Sequence, residues 1–191
     1  IPVVAAGGFR DGSGLAASLA WGADGIAMGT RFMMTQESPV PKNTKEAYLS
    51  AAVEDIKITK KFDGLSHRLI FNNYIKKIDR SNPMSLFIMS ISSAWKYKKL
   101  TKASYADLTK SFIAMLKGDD LTISQSIMSA NSPAIIQKAM VEGSPDEGAM
   151  PSGQVAGLIS NLPTCKELID EIMREFTSAV ANLRSIDGDK L

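Results

Sequence analysis

Residues 2–32 read PVVAAGGFRDGSGLAASLAWGADGIAMGTRF. The run Pro2–Ala6 is short, apolar and uninterrupted, which predicts a buried-type strand. Gly7 and Gly8 end it. Ser13 is placed to cap a helix that passes through Leu15, Leu19 and Trp21 and stops at Gly22. Gly25–Met28 reads as a second strand, and Gly29-Thr30 opens a short helical segment through Arg31 and Phe32. Strand, helix, strand in this order is a compact βαβ unit, whose two strands run parallel. The fold class is α/β.

A strand apolar throughout needs neighbours on both sides to satisfy its backbone. Two short parallel strands do not make a stable sheet, and no clear alternation of strands and helices follows. The expectation is that the rest of the sheet lies upstream and that this chain is the C-terminal part of a larger protein.

A parallel strand ending in Gly7-Gly8 lets the backbone approach a ligand closely and turn its N–H groups outward. Phosphate suits such a turn best. The second turn, Met28-Gly29-Thr30, adds N–H groups at a helix start and a hydroxyl. Neighbouring parallel strands put both turns on one rim. In strand–helix barrels the loops after the last two strands often hold a phosphate, and eight such units need about 250 residues. Arg31 could pair with that phosphate, cap carbonyls or form a structural ion pair. Gly12, Gly14 and Ala17 satisfy the dinucleotide pattern G-x-G-x-x-A. That pattern belongs directly after its strand, with an acidic residue about 20 positions on. Here GGFRD intervenes, and Phe32, Met33, Met34 and Thr35 stand where the acid belongs.

From Glu37 the character changes. ESPVPKN is a linker, TKEAYLSAAVEDI has helical period, and IKITKKFDGLSHRLIFN predicts two strands around a turn at Asp63-Gly64. NYIKKIDRSN, MSLFIMSISSAWKYKKL, YADLTKSFIAMLKG and SPAIIQKAMVEG read as helices. The resulting division is 1–34 as the strand–helix–strand segment, 35–148 as a mainly helical domain with a hairpin, and 149–191 as a closing turn and helix. In the last part, Leu168, Ile172, Phe176, Val180 and Leu183 form one apolar helix face. Thr164 with Glu167 fits a capping box.

The 191 residues suffice for a sizeable core, and the net charge of +2 gives no argument for nucleic acid or an anionic membrane. No run of about 18 apolar residues indicates a membrane span, and the first residues do not read as a signal peptide. The cytoplasm is the default. One cysteine, Cys165, excludes an internal disulfide and a multi-cysteine metal site. The ten methionines read as gap-fillers of an apolar interior. His67 reads as a hairpin or surface histidine.

PVVAAGGFRDGSGLAASLAWGADGIAMGTRF closely resembles the last strand–helix–strand segment of nitronate monooxygenases, formerly 2-nitropropane dioxygenases. SGQVAGLISNLPTCKELIDEI resembles that family's closing segment and helix. The resemblance spans nearly the whole chain, as the family's C-terminal half. It implies the last two strands of an FMN-binding TIM-type (β/α)8 barrel plus a helical substrate domain. It also implies oxidation of alkyl nitronates by O₂ to a carbonyl compound and nitrite. Flavin-phosphate contacts then fall on Gly7, Gly8, Ala27, Met28, Gly29 and Thr30. The family usually has Gln where Ala27 stands, which removes one polar side chain near the flavin and leaves backbone contacts. The family's catalytic histidine comes from an upstream strand, and His67 does not match it, so no catalytic residue is assigned. Gln154 in the closing motif could reach the flavin or substrate cavity, or stabilise its own turn.

Two other readings stand beside this one. Flavin-dependent enoyl-acyl-carrier-protein reductases share both turns and use NAD(P)H. The third is a truncated, non-catalytic remnant, since half a barrel cannot surround a flavin. The expected partners are a small-molecule substrate and the upstream barrel half.

Overall fold

The computed structural model describes residues 1–82, Ser85 and 123–186. In chain order the elements are β1 (Val4–Ala6), α1 (Gly12–Ala20), β2 (Gly25–Ala27), α2 (Thr30–Met33), α3 (Lys42–Leu49), β3 (Ile56–Thr59), β4 (His67–Ile70), α4 (Asn73–Arg80), α5 (Ile123–Met140) and α6 (Cys165–Arg184). Short 3₁₀ turns lie at Val53–Asp55, Pro145–Glu147 and Gln154–Leu158. The chain divides into two compact units. One comprises Ile1–Pro39, Tyr48–Val53 and Ser152–Leu191, the other Val40–Ala47 and Glu54–Pro151. Apart from Ser85, the predicted helices of residues 84–100 and 105–118 lie outside the described residues.

In the first unit β1 and β2 pair in parallel, with Val4 opposite Gly25, Ala5 opposite Ile26 and Ala6 opposite Ala27. Asp24 secures the start of the pair twice, accepting from the Val3 N–H through its carboxylate and donating its own N–H to the Val3 carbonyl. Among the described residues this sheet has two strands. Val3 and Val4, in the run predicted as a buried strand, are 59% and 56% exposed.

The cap of α1 differs from expectation. The helix begins at Gly12, and Asp11, not Ser13, caps it by accepting from the Gly14 N–H at 3.0 Å. A carboxylate accepts well from the orphan N–H groups of a first turn, and Asp11 precedes Ser13, so the helix starts earlier. It ends at Ala20, with Gly22 in the left-handed region at φ +91°.

α1 packs on α6 at very short range. A Cβ on Gly12 would lie 2.1 Å from the Ile172 carbonyl oxygen and 2.3 Å from the Phe176 nitrogen. Only glycine permits that approach of helix end to helix backbone. On α6, Leu168 and Ile172 are buried, whereas Leu183, at the far end of the predicted apolar face, is 58% exposed. The capping box is present in full: the Thr164 hydroxyl accepts from the Glu167 N–H, and the Glu167 carboxylate accepts from the Thr164 N–H.

In the second unit β3 and β4 form an antiparallel hairpin, Ile56 opposite Ile70 and Thr59 opposite His67. The connection contains Asp63 and Gly64, the latter at φ +91°. Phe62, Leu69, Ile75, Ile78, Ile135 and Ala149 make its core. The helix expected from TKEAYLSAAVEDI begins two residues earlier and stops at Leu49, followed by a 3₁₀ turn at Val53–Asp55. α5 carries Pro133 in its interior. Proline removes the N–H that would reach the carbonyl four residues back. The Ser132 hydroxyl donates to that Ser129 carbonyl instead, at 2.9 Å.

Candidate functional site

Because Ala6 pairs with Ala27, both strands end together and the two glycine turns leave from one edge. Gly7 and Gly8 have φ of +98° and +80°. These values are open to glycine and costly for most other residues. A Cβ on Gly7, Gly8 or Gly29 would meet nothing within 4 Å. Left-handed backbone and open space on one rim suit an anion-binding turn. No acidic side chain lies within AAGGF or MGTRF to oppose an anion.

The closing segment, Ser152–Thr164, reaches both turns. The Thr30 Oγ1 accepts from the Gly153 N–H at 2.9 Å, and Arg10, two residues beyond Gly8, donates from Nη1 to the Leu158 carbonyl at 2.9 Å. Further along, the Gln36 N–H donates to the Pro163 carbonyl and the Gln36 side chain to the Leu162 carbonyl. The Glu37 carboxylate accepts from the Cys165 N–H at 2.8 and 3.0 Å. Residues 30–37 and 153–165 are thus joined along their length. Thr30 spends an acceptor lone pair on Gly153 and keeps its O–H as a donor. Gln154, next along, is exposed, and its side chain has no hydrogen-bond partner among the described residues. Ala27 is exposed and Met28 half-buried on the same edge.

Arg31 points into the protein. Only 5% exposed, it donates from Nη2 to the Asn161 side-chain oxygen at 2.8 Å and from Nη1 to the Asn161 carbonyl at 3.4 Å. Burial lowers its pKa below the ordinary value, and Glu171 partly offsets that. Carbonyl capping is therefore the role of Arg31 that the contacts display.

The G-x-G-x-x-A pattern has its donors already occupied. Gly12 N–H donates to the Glu175 carboxylate at 2.8 Å and Gly14 N–H to the Asp11 carboxylate. Two carboxylates stand where a diphosphate would need to be, which excludes the dinucleotide reading. A cleft beside them, lined by Arg10, Arg31, Asn161, Glu171 and Glu175, holds about 170 Å³. That is below the roughly 300 Å³ at which small-molecule sites begin. His67 is occupied in the hairpin turn: its Nε2 pairs with the Asp63 carboxylate at 2.8 Å and its ring packs edge-on against Phe62. Among the described residues no group of three His, Cys, Asp or Glu side chains could hold a metal ion.

A comparison of the sequence with protein-family models matches the nitronate monooxygenase model over residues 1–175. The chain belongs to the nitronate monooxygenase family. The chain is 45% identical to a (3aS,4S,5R,7aS)-5-hydroxy-7a-methyl-1-oxo-octahydro-1H-indene-4-carboxyl-CoA dehydrogenase of Rhodococcus jostii, over 92% of this chain and 50% of that protein. It is 39% identical to the protein of the same description from Mycobacterium tuberculosis, over 91% and 49%. A probable nitronate monooxygenase of Staphylococcus aureus is 40% identical over 80 residues, 42% of this chain and 22% of that protein. The solved structure of FabK from Thermotoga maritima superposes with a TM-score of 0.66 at 29% identity, over 98% of this chain and 48% of that one. The chain spans about half the length of the curated relatives it matches.

The sequence drew attention to both turns, to Arg31 and to Gln154. It missed Arg10, Gly153 and Asn161. Their partners lie between 123 and 148 positions away, and no local spacing signals such a pairing.

Proposed function

We propose that the intact protein is an FMN-dependent oxidoreductase whose flavin phosphate is held by the backbone of Gly7, Gly8, Ala27, Met28 and Gly29 and by the Thr30 hydroxyl. The left-handed backbone of Gly7 and Gly8 and the open space at the two glycine turns support this, since a phosphate fills the room a Cβ would take. The flavin, when bound, accepts the electron pair removed from the substrate. This chain's residues bind and orient: the turns fix the phosphate, and the closing segment, held by Thr30 and Arg10, places Gln154 beside the rim. Arg31 holds that segment from within.

The proposed substrate is an acyl-CoA thioester, which is dehydrogenated. One observation carries this. Two enzymes described as carboxyl-CoA dehydrogenases match more than nine-tenths of the chain at 45% and 39% identity, whereas the nitronate monooxygenase match covers 42% of it. Oxidation of alkyl nitronates by O₂ is the second reading, favoured by the family itself. NAD(P)H-dependent reduction, as in flavin-dependent enoyl-acyl-carrier-protein reductases, is the third, favoured by the likeness to FabK.

The exposed Ile1, Val3 and Val4 support a further partner. In the whole protein, strand–helix units of a barrel cover this apolar edge and complete the flavin's surroundings, and residues 35–148 supply the substrate domain. The catalytic base is proposed to come from those units, so the chain alone is expected to be colourless and inactive. No helix among the described residues is long and apolar enough to cross a membrane, and the cytoplasm is the proposed site of action.

The test uses the full-length protein. Anaerobic addition of an acyl-CoA should bleach the flavin band. O₂ uptake that requires a nitronate and ignores acyl-CoA would replace this reading with the second. Flavin bleaching by NADH alone would replace it with the third.

A further inference from the structure

Asn73, Lys76, Lys77 and Arg80 recur at i, i+3, i+4 and i+7 along α4, the spacing that lines one face of a helix. All four are exposed. Lys76, Lys77 and Arg80 have no carboxylate partner among the described residues. The acid on the same helix, Asp79, pairs instead with Lys61 at 3.3 Å. The opposite face of α4, through Ile75 and Ile78, is buried in the core of its unit. The helix start is fixed by Asn72, whose side-chain oxygen accepts from the Ile75 N–H and whose amide donates to the Gly148 carbonyl. The three cations are therefore presented on a held helix.

A cleft of about 550 Å³ runs along this stripe and is lined also by Asn82 and Ser85, where the Asn82 side-chain oxygen accepts from the Ser85 N–H at 2.8 Å. Its volume lies within the range of small-molecule sites. Among the described residues its lining is cationic or hydrogen-bonding. Such a lining suits a phosphorylated group. The field of the helix C-terminus favours Lys77 and Arg80 in the last turn but does not account for a cleft beside them.

We propose that this cleft binds the phosphates of coenzyme A, the handle of the thioester substrate, and so rests on the thioester reading above. The diphosphate and 3′-phosphate together carry about four negative charges near neutral pH, complementary to Lys76, Lys77 and Arg80. Asn73 and Asn82 supply neutral donors to the same oxygens.

The experiment is calorimetric titration of the full-length protein with coenzyme A, 3′-dephospho-coenzyme A and pantetheine, with acyl carrier protein as a fourth arm. Coenzyme A should bind, and loss of the 3′-phosphate should weaken it severalfold. The triple variant Lys76→Glu, Lys77→Glu, Arg80→Glu should bind it about tenfold or more weakly, with a shallower salt dependence, and pantetheine unchanged. The neutral triple Lys76→Gln, Lys77→Gln, Arg80→Gln, which keeps these exposed positions polar, should lie between and provides the reading if charge reversal impairs folding. Wild-type affinity in a folded neutral triple overturns the cleft and leaves the thioester reading standing. No binding of coenzyme A to the wild type overturns both. A loss confined to acyl carrier protein overturns the assignment to coenzyme A.

Discussion

The Thr30 hydroxyl oxygen accepts the Gly153 N–H at 2.9 Å across 123 positions of sequence, and so one side chain fixes the closing segment to the rim where the two parallel strands end. Replacing it with valine keeps the shape and removes both acceptor and donor. Thr30→Val should cost about 1–3 kcal/mol of stability, the range for a polar group left unpaired. It should also weaken FMN binding in the full-length protein. Thr30→Ser should retain both. Urea unfolding and FMN titration of the two variants check this, and equal behaviour of valine and serine would remove Thr30 from the site.

Gly8 sits at φ +80° with open space around it. Gly8→Val meets no protein atom at its Cβ, so its folding cost is the left-handed backbone, about 1–2 kcal/mol. The variant is expected to fold and to lose flavin, because the side chain takes the phosphate's place. Flavin content after purification, beside a circular dichroism spectrum, is the measurement. A folded Gly8→Val with full FMN would place the phosphate elsewhere.

Gly12 presents the opposite case. A Cβ there would stand 2.1 Å from the Ile172 oxygen, and backbone on both sides cannot yield cheaply. Gly12→Ala should destabilise by about 3 kcal/mol or more through forced separation of α1 and α6. Gly22→Ala, at φ +91° in open space, should cost about 1 kcal/mol. Denaturant midpoints of the two variants give the comparison, and a smaller loss for Gly12→Ala would contradict the close approach.

Glu167 supplies the pH dependence. Its pKa is lowered from the ordinary 4.5, chiefly by the hydrogen bond from the Thr164 backbone. A lowered folded-state pKa means the contribution is present above the unfolded value and lost as pH falls through the folded one. Wild-type stability should therefore decline below about pH 4.5 partly through this cap. In Glu167→Gln that part of the acid decline should be absent, with lower stability at neutral pH. Unfolding curves between pH 3 and 7 of both proteins test it.

Much of the architecture was legible because it is local. The apolar run before Gly7, the helix closed by Gly22 and the strand at Gly25 prescribe a parallel pair, and β1 and β2 form one. Thr164 and Glu167 lie three positions apart, so their capping box is readable as a spacing. The turn at Asp63-Gly64 announced the hairpin in the same way. The cap of α1 was misplaced because Asp11 and Ser13 both suit the role, and only the position of the first turn against α6 separates them.

Sequence alone thus determined the strand–helix–strand unit, its two glycine turns and the family, since backbone preference and side-chain period act over a few residues. Tertiary structure decided what surrounds them. The Gly12 N–H meets Glu175 across 163 positions and Arg31 meets Asn161 across 130. Folding thereby turned a dinucleotide pattern into a helix contact and a candidate phosphate ligand into an internal brace. Nothing in either local stretch encodes those outcomes, because the partner that satisfies a buried donor is selected by packing, wherever in the chain it happens to lie.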